Sequence, residues 1–203
     1  MKSTVTQPET RRPYRMKARS AAAEAASVRI LHVARRRFAT MAFDHVTLGA
    51  VAADAQVGVQ TVLRRFGSKE DLLVAVAQRR SEEIRAVRDA SPGGDPAKAV
   101  HDLVDTYERF GEEVLPLMAQ ENRHPVIAAI VQSGREYHHS WVERIWSSSL
   151  RGLEKRDRQI RKAQLIAATD LHAWKIYRRD VGLDWRSTEA AVVGLCALIV
   201  NRN

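Results

Sequence analysis

The 203-residue chain contains one cysteine, Cys196, set in the apolar run AAVVGLCALIV. That excludes a disulfide framework and a cluster of thiolate metal ligands, and it suits a reducing cytoplasm. Residues 1–20 hold four arginines and two lysines but no apolar core, so a signal peptide is not expected. The longest apolar run, Ala190 to Val200, is too short to cross a bilayer. Alternating β-branched segments are lacking, as are internal repeats. No Gly-rich phosphate loop, nucleophile elbow, HExxH or paired acid constellation is present, so catalytic residues are not assigned and an enzyme is not expected. His124, His138, His139 and His172 form no convincing set of ligands at i, i+4 spacing, and we expect no metal and no cofactor.

What the chain does have is positive charge, and it is local. Residues 1–88 carry 17 Lys/Arg against 8 Asp/Glu, an excess that equals the whole net charge of +9, whereas residues 89–203 carry 16 of each. A one-sided excess is the footprint expected of a polyanion-binding surface, with a solvated basic face as the plain alternative.

From about residue 23 the hydrophobic spacing is helical. Residues 1–22, polar and with two prolines, read as a disordered basic arm. A first helix places Val28, Leu31, Ala34 and Phe38 on one side and ends near Ala42. Thr47 caps a second helix through Val51, Ala52 and Ala55, and Gln56-Val57-Gly58 forms a break. A third helix, about Val59 to Phe66, turns Val62 and Phe66 inward and Gln60, Thr61, Arg64 and Arg65 outward. Ser68 with Asp71 forms a capping box for a fourth helix that runs to about Ala90, before the breaker SPGGDP. Beyond it, Asp95-Pro96 starts a helix through Phe110, Pro125 starts a short one ending at Ser133-Gly134, and Tyr137 to Trp146 mark the next. Arg158 to Arg179 and Thr188 to Val200 complete an all-α chain.

Two helices joined by a short turn and backed by a first make a helix-turn-helix, whose second helix fits the major groove. Phe38-Ala39, Phe43, Thr47-Leu48, Val51-Ala52, Ala55, Val57, Thr61, Phe66 and Ser68-Lys69-Glu70-Asp71-Leu72 stand at spacings that resemble the DNA-binding domain of the TetR/AcrR family of bacterial transcriptional regulators. The resemblance covers about residues 28–73. It implies a three-helix DNA-binding domain over residues 23–73 and a larger helical effector-binding and dimerisation domain over 74–203. It further implies a homodimeric repressor on a palindromic operator, released by a small effector.

Carried over position by position, the resemblance implies phosphate contacts from Thr47, Thr61, Arg65 and Lys69. Base contacts fall to Gln60 and Arg64, since Gln pairs bidentately with adenine and Arg with guanine. Arg11, Arg12, Arg15, Lys17 and Arg19 of the arm enter a minor groove or merely solubilise. Three positions depart from the family pattern: Ala42 and Gln56 stand where Gly is usual, and Gly58 where Ser is. A left-handed Gln56 costs on the order of 1 kcal/mol relative to Gly. Leu63 and Arg65 replace a frequent Tyr and His.

The resemblance assigns dimerisation to the two last helices, whose apolar content from Ile160 to Trp174 and Ala190 to Val200 fits either a subunit interface or burial inside one subunit. Phe110, Met118, Ile130, Tyr137, Trp141 and Trp174 are the candidate lining of a pocket for a small apolar effector, with ordinary core packing as the alternative. A nonspecific basic nucleic-acid-binding protein without effector control is the competing function.

Overall fold

The computed structural model describes residues 11–91 and 95–201, with side chains from Ser20 onward. Ten α-helices follow one another without a strand among the described residues: α1 (Arg11–Thr40), α2 (Leu48–Asp54), α3 (Val59–Phe66), α4 (Lys69–Arg88), α5 (Pro96–Met118), α6 (Pro125–Ile145), α7 (Ser147–Leu150), α8 (Lys155–Ala168), α9 (Leu171–Lys175) and α10 (Trp185–Asn201). A 3-10 turn, Phe43–His45, follows α1, and a π turn, Ile176–Asp180, follows α9.

Helix α1 starts at Arg11, well inside the stretch expected to be an arm, because the run AAAEAAS and its basic neighbours favour helix and Pro13 is tolerated in a first turn. Residues 1–10 lie outside the described region. The phase of α1 also differs from the expected one. Ile30, Ala34 and Phe38 are buried, whereas Val28, two residues and about 200° away from Ile30, is 46% exposed.

Two apolar clusters hold the molecule together. The first gathers Ile30, Phe38, Phe43, Val51, Val62 and Leu72 of the N-terminal helices, and Ile127 and Val131 of α6 join it. The second gathers Leu103, Trp141, Ile145, Trp146, Leu165, Trp174 and Val192. Because α6 contributes to both, and the Phe43 N–H donates to Gln120 Oε1 at 2.8 Å, the N-terminal unit is docked directly on the C-terminal one.

Two helices differ from their sequence reading. Helix α6 runs unbroken through Ser133-Gly134, since Gly in a helix costs only about 1 kcal/mol and flanking burial outweighs it. The helix expected over 158–179 is instead interrupted at Thr169-Asp170. There the Thr169 hydroxyl donates to the Leu165 carbonyl at 2.7 Å, and Asp170 caps α9 by accepting from the His172 N–H at 2.8 Å. The interruption separates residues that a straight helix would align: Ile160 is exposed, while Trp174 is buried against Gly111 of α5.

Candidate nucleic-acid interface and ligand cavity

The helix-turn-helix is built from local capping. Thr47 is extended, and its Oγ1 accepts from the Ala50 N–H at 3.2 Å. At the other end of α2, Gln56 N–H donates to Ala53 O at 3.1 Å and Val57 N–H to Ala52 O at 3.0 Å, the paired bonds of a Schellman cap. That cap needs a left-handed residue, and Gln56 supplies it at φ 55°, alone among the described non-glycine residues. Gly58 then caps α3 without a side chain.

Helix α3 buries Val62 and presents Gln60, Arg64 and Arg65 to solvent. Neither arginine has an acidic partner among the described residues, so both cations are available to an incoming anion. Thr61 is half-buried beside them. Val59 and Leu63 are 41% and 37% exposed in the same stripe, which periodicity alone would have turned inward. Their consecutive neighbours Gln60 and Arg64 were the signal available for this face, because residues four apart share it. A helix with apolar and polar side chains together on its outer face offers contacts both to thymine methyls and to base edges.

Ser68 and Asp71 form the expected capping box of α4, with Ser68 Oγ accepting from Asp71 N–H at 3.0 Å and Asp71 Oδ2 accepting from Ser68 N–H at 3.2 Å. Lys69 is not a free cation: its ammonium donates to the Phe43 carbonyl at 3.0 Å and lies 4.1 Å from the Phe43 ring centre. Two N–H groups remain for another acceptor. Arg37 donates from Nε and Nη2 to Asp54 Oδ2, tying α1 to α2, while Arg36 is exposed without an ion pair among the described residues. The side chains of Arg11, Arg12, Arg15, Lys17 and Arg19 lie outside the described residues.

A cavity of about 220 Å³ lies between α1, α4, α5 and α6. Phe110, Met118, Ile130 and Tyr137 line it. Trp141 and Trp174, expected beside them, do not; both are 1% exposed and belong to the second apolar cluster. The cavity wall also carries Arg35, Arg80, Arg85, Arg88 and Arg135 against Glu113 and Asp170, a charge excess that the apolar lining expected from sequence did not include. His138, in the same wall, is held neutral: burial and the neighbouring Arg88 charge push its pKa down to about 4. Burial pushes the Cys196 thiol up to about 12, where it is an inert packing group. No group of three or more metal-ligating side chains converges among the described residues, and none of their helices is long and apolar enough to cross a membrane.

The structure thus pairs a capped helix-turn-helix, whose second helix carries an exposed basic face, with a cavity-bearing set of helices. Residues 30–76 match the family model of bacterial regulatory proteins, tetR family. No curated protein matches the chain at a significant level. Among solved structures, a transcriptional regulator from Rhodococcus sp. Rha1 superposes with a TM-score of 0.67 at 17% identity, covering 86% of this chain and 95% of its own. A TetR-like transcriptional regulator from Rhodococcus sp. RHA1 does so with a TM-score of 0.63 at 18% identity, covering 85% and 93%. The multidrug binding protein EbrR complexed with imidazole gives a TM-score of 0.55 at 17% identity, covering 82% and 87%. Residues 30–76 thus match the tetR family model, and the chain as a whole shares the fold of these regulators.

Proposed function

We propose that the protein is a homodimeric repressor that binds a palindromic operator and leaves it when a small molecule fills the cavity between α1, α4, α5 and α6. The observation that carries this reading is the outer face of α3, where Gln60, Arg64 and Arg65 stand exposed without acidic partners among the described residues. Gln60 and Arg64 read base edges, with Val59 and Leu63 against thymine methyls. Thr47, Thr61, Arg65 and the two remaining N–H groups of Lys69 meet phosphates. Residues 23–73 serve as the reading domain and 74–203 as the effector and dimerisation domain.

Dimerisation falls to α8 and α10. Their outer sides leave Ile160, Leu195 and Leu198 exposed at 45%, 37% and 72%. Gly194, with open space around it, would let a second helix approach closely. Two copies of α3 held about 34 Å apart would meet successive major-groove half-sites.

The test is selection of duplexes from a randomised library at near-physiological salt, together with the solution mass of the wild type and of Leu198→Arg. An enriched inverted repeat, a dimeric wild type and a monomeric, weakly binding variant are expected. Retention of DNA without any enriched pattern would replace this reading with nonspecific backbone binding.

A further inference from the structure

Arg88, the last residue of α4, is 4% exposed and lines the cavity. Its Nη2 lies 3.0 Å from Nδ1 of His138, and its guanidinium carbon stands 4.3 Å from the Trp141 ring centre and 5.1 Å from that of Tyr137. Its buried Nε–H has no hydrogen-bond partner, and no carboxylate pairs with it among the described residues. The neighbouring Asp89 spends its carboxylate elsewhere, accepting from Tyr137 Oη at 3.0 Å and Arg144 Nη2 at 2.6 Å.

A guanidinium does not shed its proton in a protein, so this charge stays where it is. Burying an unpaired cation is costly, and the two aromatic faces offset only part of that cost. Neutral His138 accepts at Nδ1 and turns Nε2 toward Thr169 Oγ1 at 3.1 Å, which orients the guanidinium without neutralising it.

The other cations of the wall are mostly matched. Arg35 and Arg80 share Glu113, and Arg135 pairs with Glu121. Arg85 is the exception: its guanidinium carbon lies 4.6 Å from the centre of the Tyr137 ring that Arg88 also contacts, and it has no carboxylate partner among the described residues. Unmatched positive charge is therefore concentrated around Tyr137, while Leu73, Val76, Phe110, Leu117 and Met118 make the rest of the wall apolar.

We propose that the cavity takes an amphiphilic monocarboxylate, with its apolar body against Phe110 and Met118 and its carboxylate on Arg88, assisted by Arg85. This rests on the reading of the cavity as the effector site, and it changes the expected effector from an apolar molecule to an anion with an apolar tail. The free Nε–H and terminal N–H groups of Arg88 match the fork geometry of a carboxylate.

The full-length protein is titrated calorimetrically with straight-chain carboxylates from hexanoate to dodecanoate, and with the primary amides and amines of the same lengths. The best carboxylate should bind roughly tenfold or more tightly than its amide, and the amines should not bind. Arg88→Met, checked for cooperative melting, should abolish that preference. Where it does not melt cooperatively, Arg88→Lys is read instead: it keeps the charge but not the fork, and the preference should fall by about threefold or more. Equal affinity for amide and carboxylate, a preference that survives substitution, or no binding by any member of the series overturns the proposal. A protein that prefers carboxylates but selects no inverted repeat refutes the repressor reading and leaves the site standing. One that selects a repeat but ignores carboxylates refutes the site alone.

Discussion

Arg35 of α1 and Glu113 of α5 pair at 2.9 Å, and the second carboxylate oxygen of Glu113 accepts from Arg80 of α4 at 2.7 Å. One carboxylate thus clamps three helices around the cavity, joining α1 and α4 to α5. The pair with Arg35 is partly exposed and worth no more than about 1 kcal/mol, whereas Arg80 is nearly buried and keeps only Glu83 when Glu113 is lost. Glu113→Gln should lower stability by about 1–2 kcal/mol in denaturant melts. Operator affinity should change little, and the response of the DNA complex to effector should weaken, because the clamp is common to both units. An unchanged effector response would separate Glu113 from the coupling.

His138 makes stability depend on pH. Its folded pKa lies near 4, below the value of about 6.5 expected for an unfolded chain, because burial and then Arg88 disfavour its protonation. A histidine depressed in the folded state contributes stability that is present above the unfolded pKa and lost as pH falls toward the folded one. Between about pH 7.5 and pH 5 the loss should be on the order of 2 kcal/mol in urea titrations. His138→Gln should flatten that slope, and an equal slope in the variant would assign the loss to other groups.

The strained turn can be relieved. Gln56 sits at φ 55°, which glycine adopts without cost, and Gly58 caps α3 in open space. Gln56→Gly should stabilise the protein by about 0.5–1 kcal/mol, the steric gain exceeding the added freedom of the unfolded chain. Gly58→Ser should add a few tenths more by providing a cap oxygen. Thermal melting checks both, and a lower midpoint for Gln56→Gly would show that its side chain contributes more than its backbone costs.

Gly111 is fixed by contact rather than by conformation. A Cβ there would lie 2.7 Å from Trp174 Cζ3 and 3.2 Å from Leu171 Cδ1. Gly111→Ala should therefore destabilise by about 1–3 kcal/mol, since neither the buried indole nor α9 can retreat freely. A melt within experimental error of wild type would mean that the interrupted α8–α9 segment gives way.

Arg64 and Lys69 should fail differently. Arg64→Ala removes a side chain with no partner among the described residues, so it should leave the melt unchanged and relax base preference at one position by about 1–3 kcal/mol. Lys69→Ala breaks the hydrogen bond to the Phe43 carbonyl as well as any phosphate contact. It should lower both the melting midpoint and the salt slope of DNA binding, by about one charge in the latter. A normal salt slope in Lys69→Ala would confine that lysine to holding the turn.

The reading unit was legible because its determinants are local. Caps, breaks and the left-handed Gln56 depend on residues a few positions apart, and each was visible in the order of residues. The phase of α1 was misread at Val28, where spacing admits two faces and only packing chooses. The C-terminal half was harder. Ile160, Ala167 and Trp174 repeat every seven residues, yet the interruption at Thr169-Asp170 sends Trp174 inward, since hydroxyl and carboxylate caps there outcompete helix continuation. The burial of Arg88 left no local trace: on its own helix it reads as one more solvated charge, and the rings that enclose it come from α6.

Helix α4 begins with Lys69 beside the reading unit and ends with Arg88 in the cavity wall. Twenty residues of helix are about 30 Å of nearly rigid rod. A tilt of about 5° pivoted at one end displaces the other by roughly 2–3 Å, close to the length of a hydrogen bond. A single structural member thus carries a cation at each tip, one beside the helix-turn-helix and one in the cavity wall, and under the proposed function a shift that seats an anion at one tip would be felt as a misfit at the other.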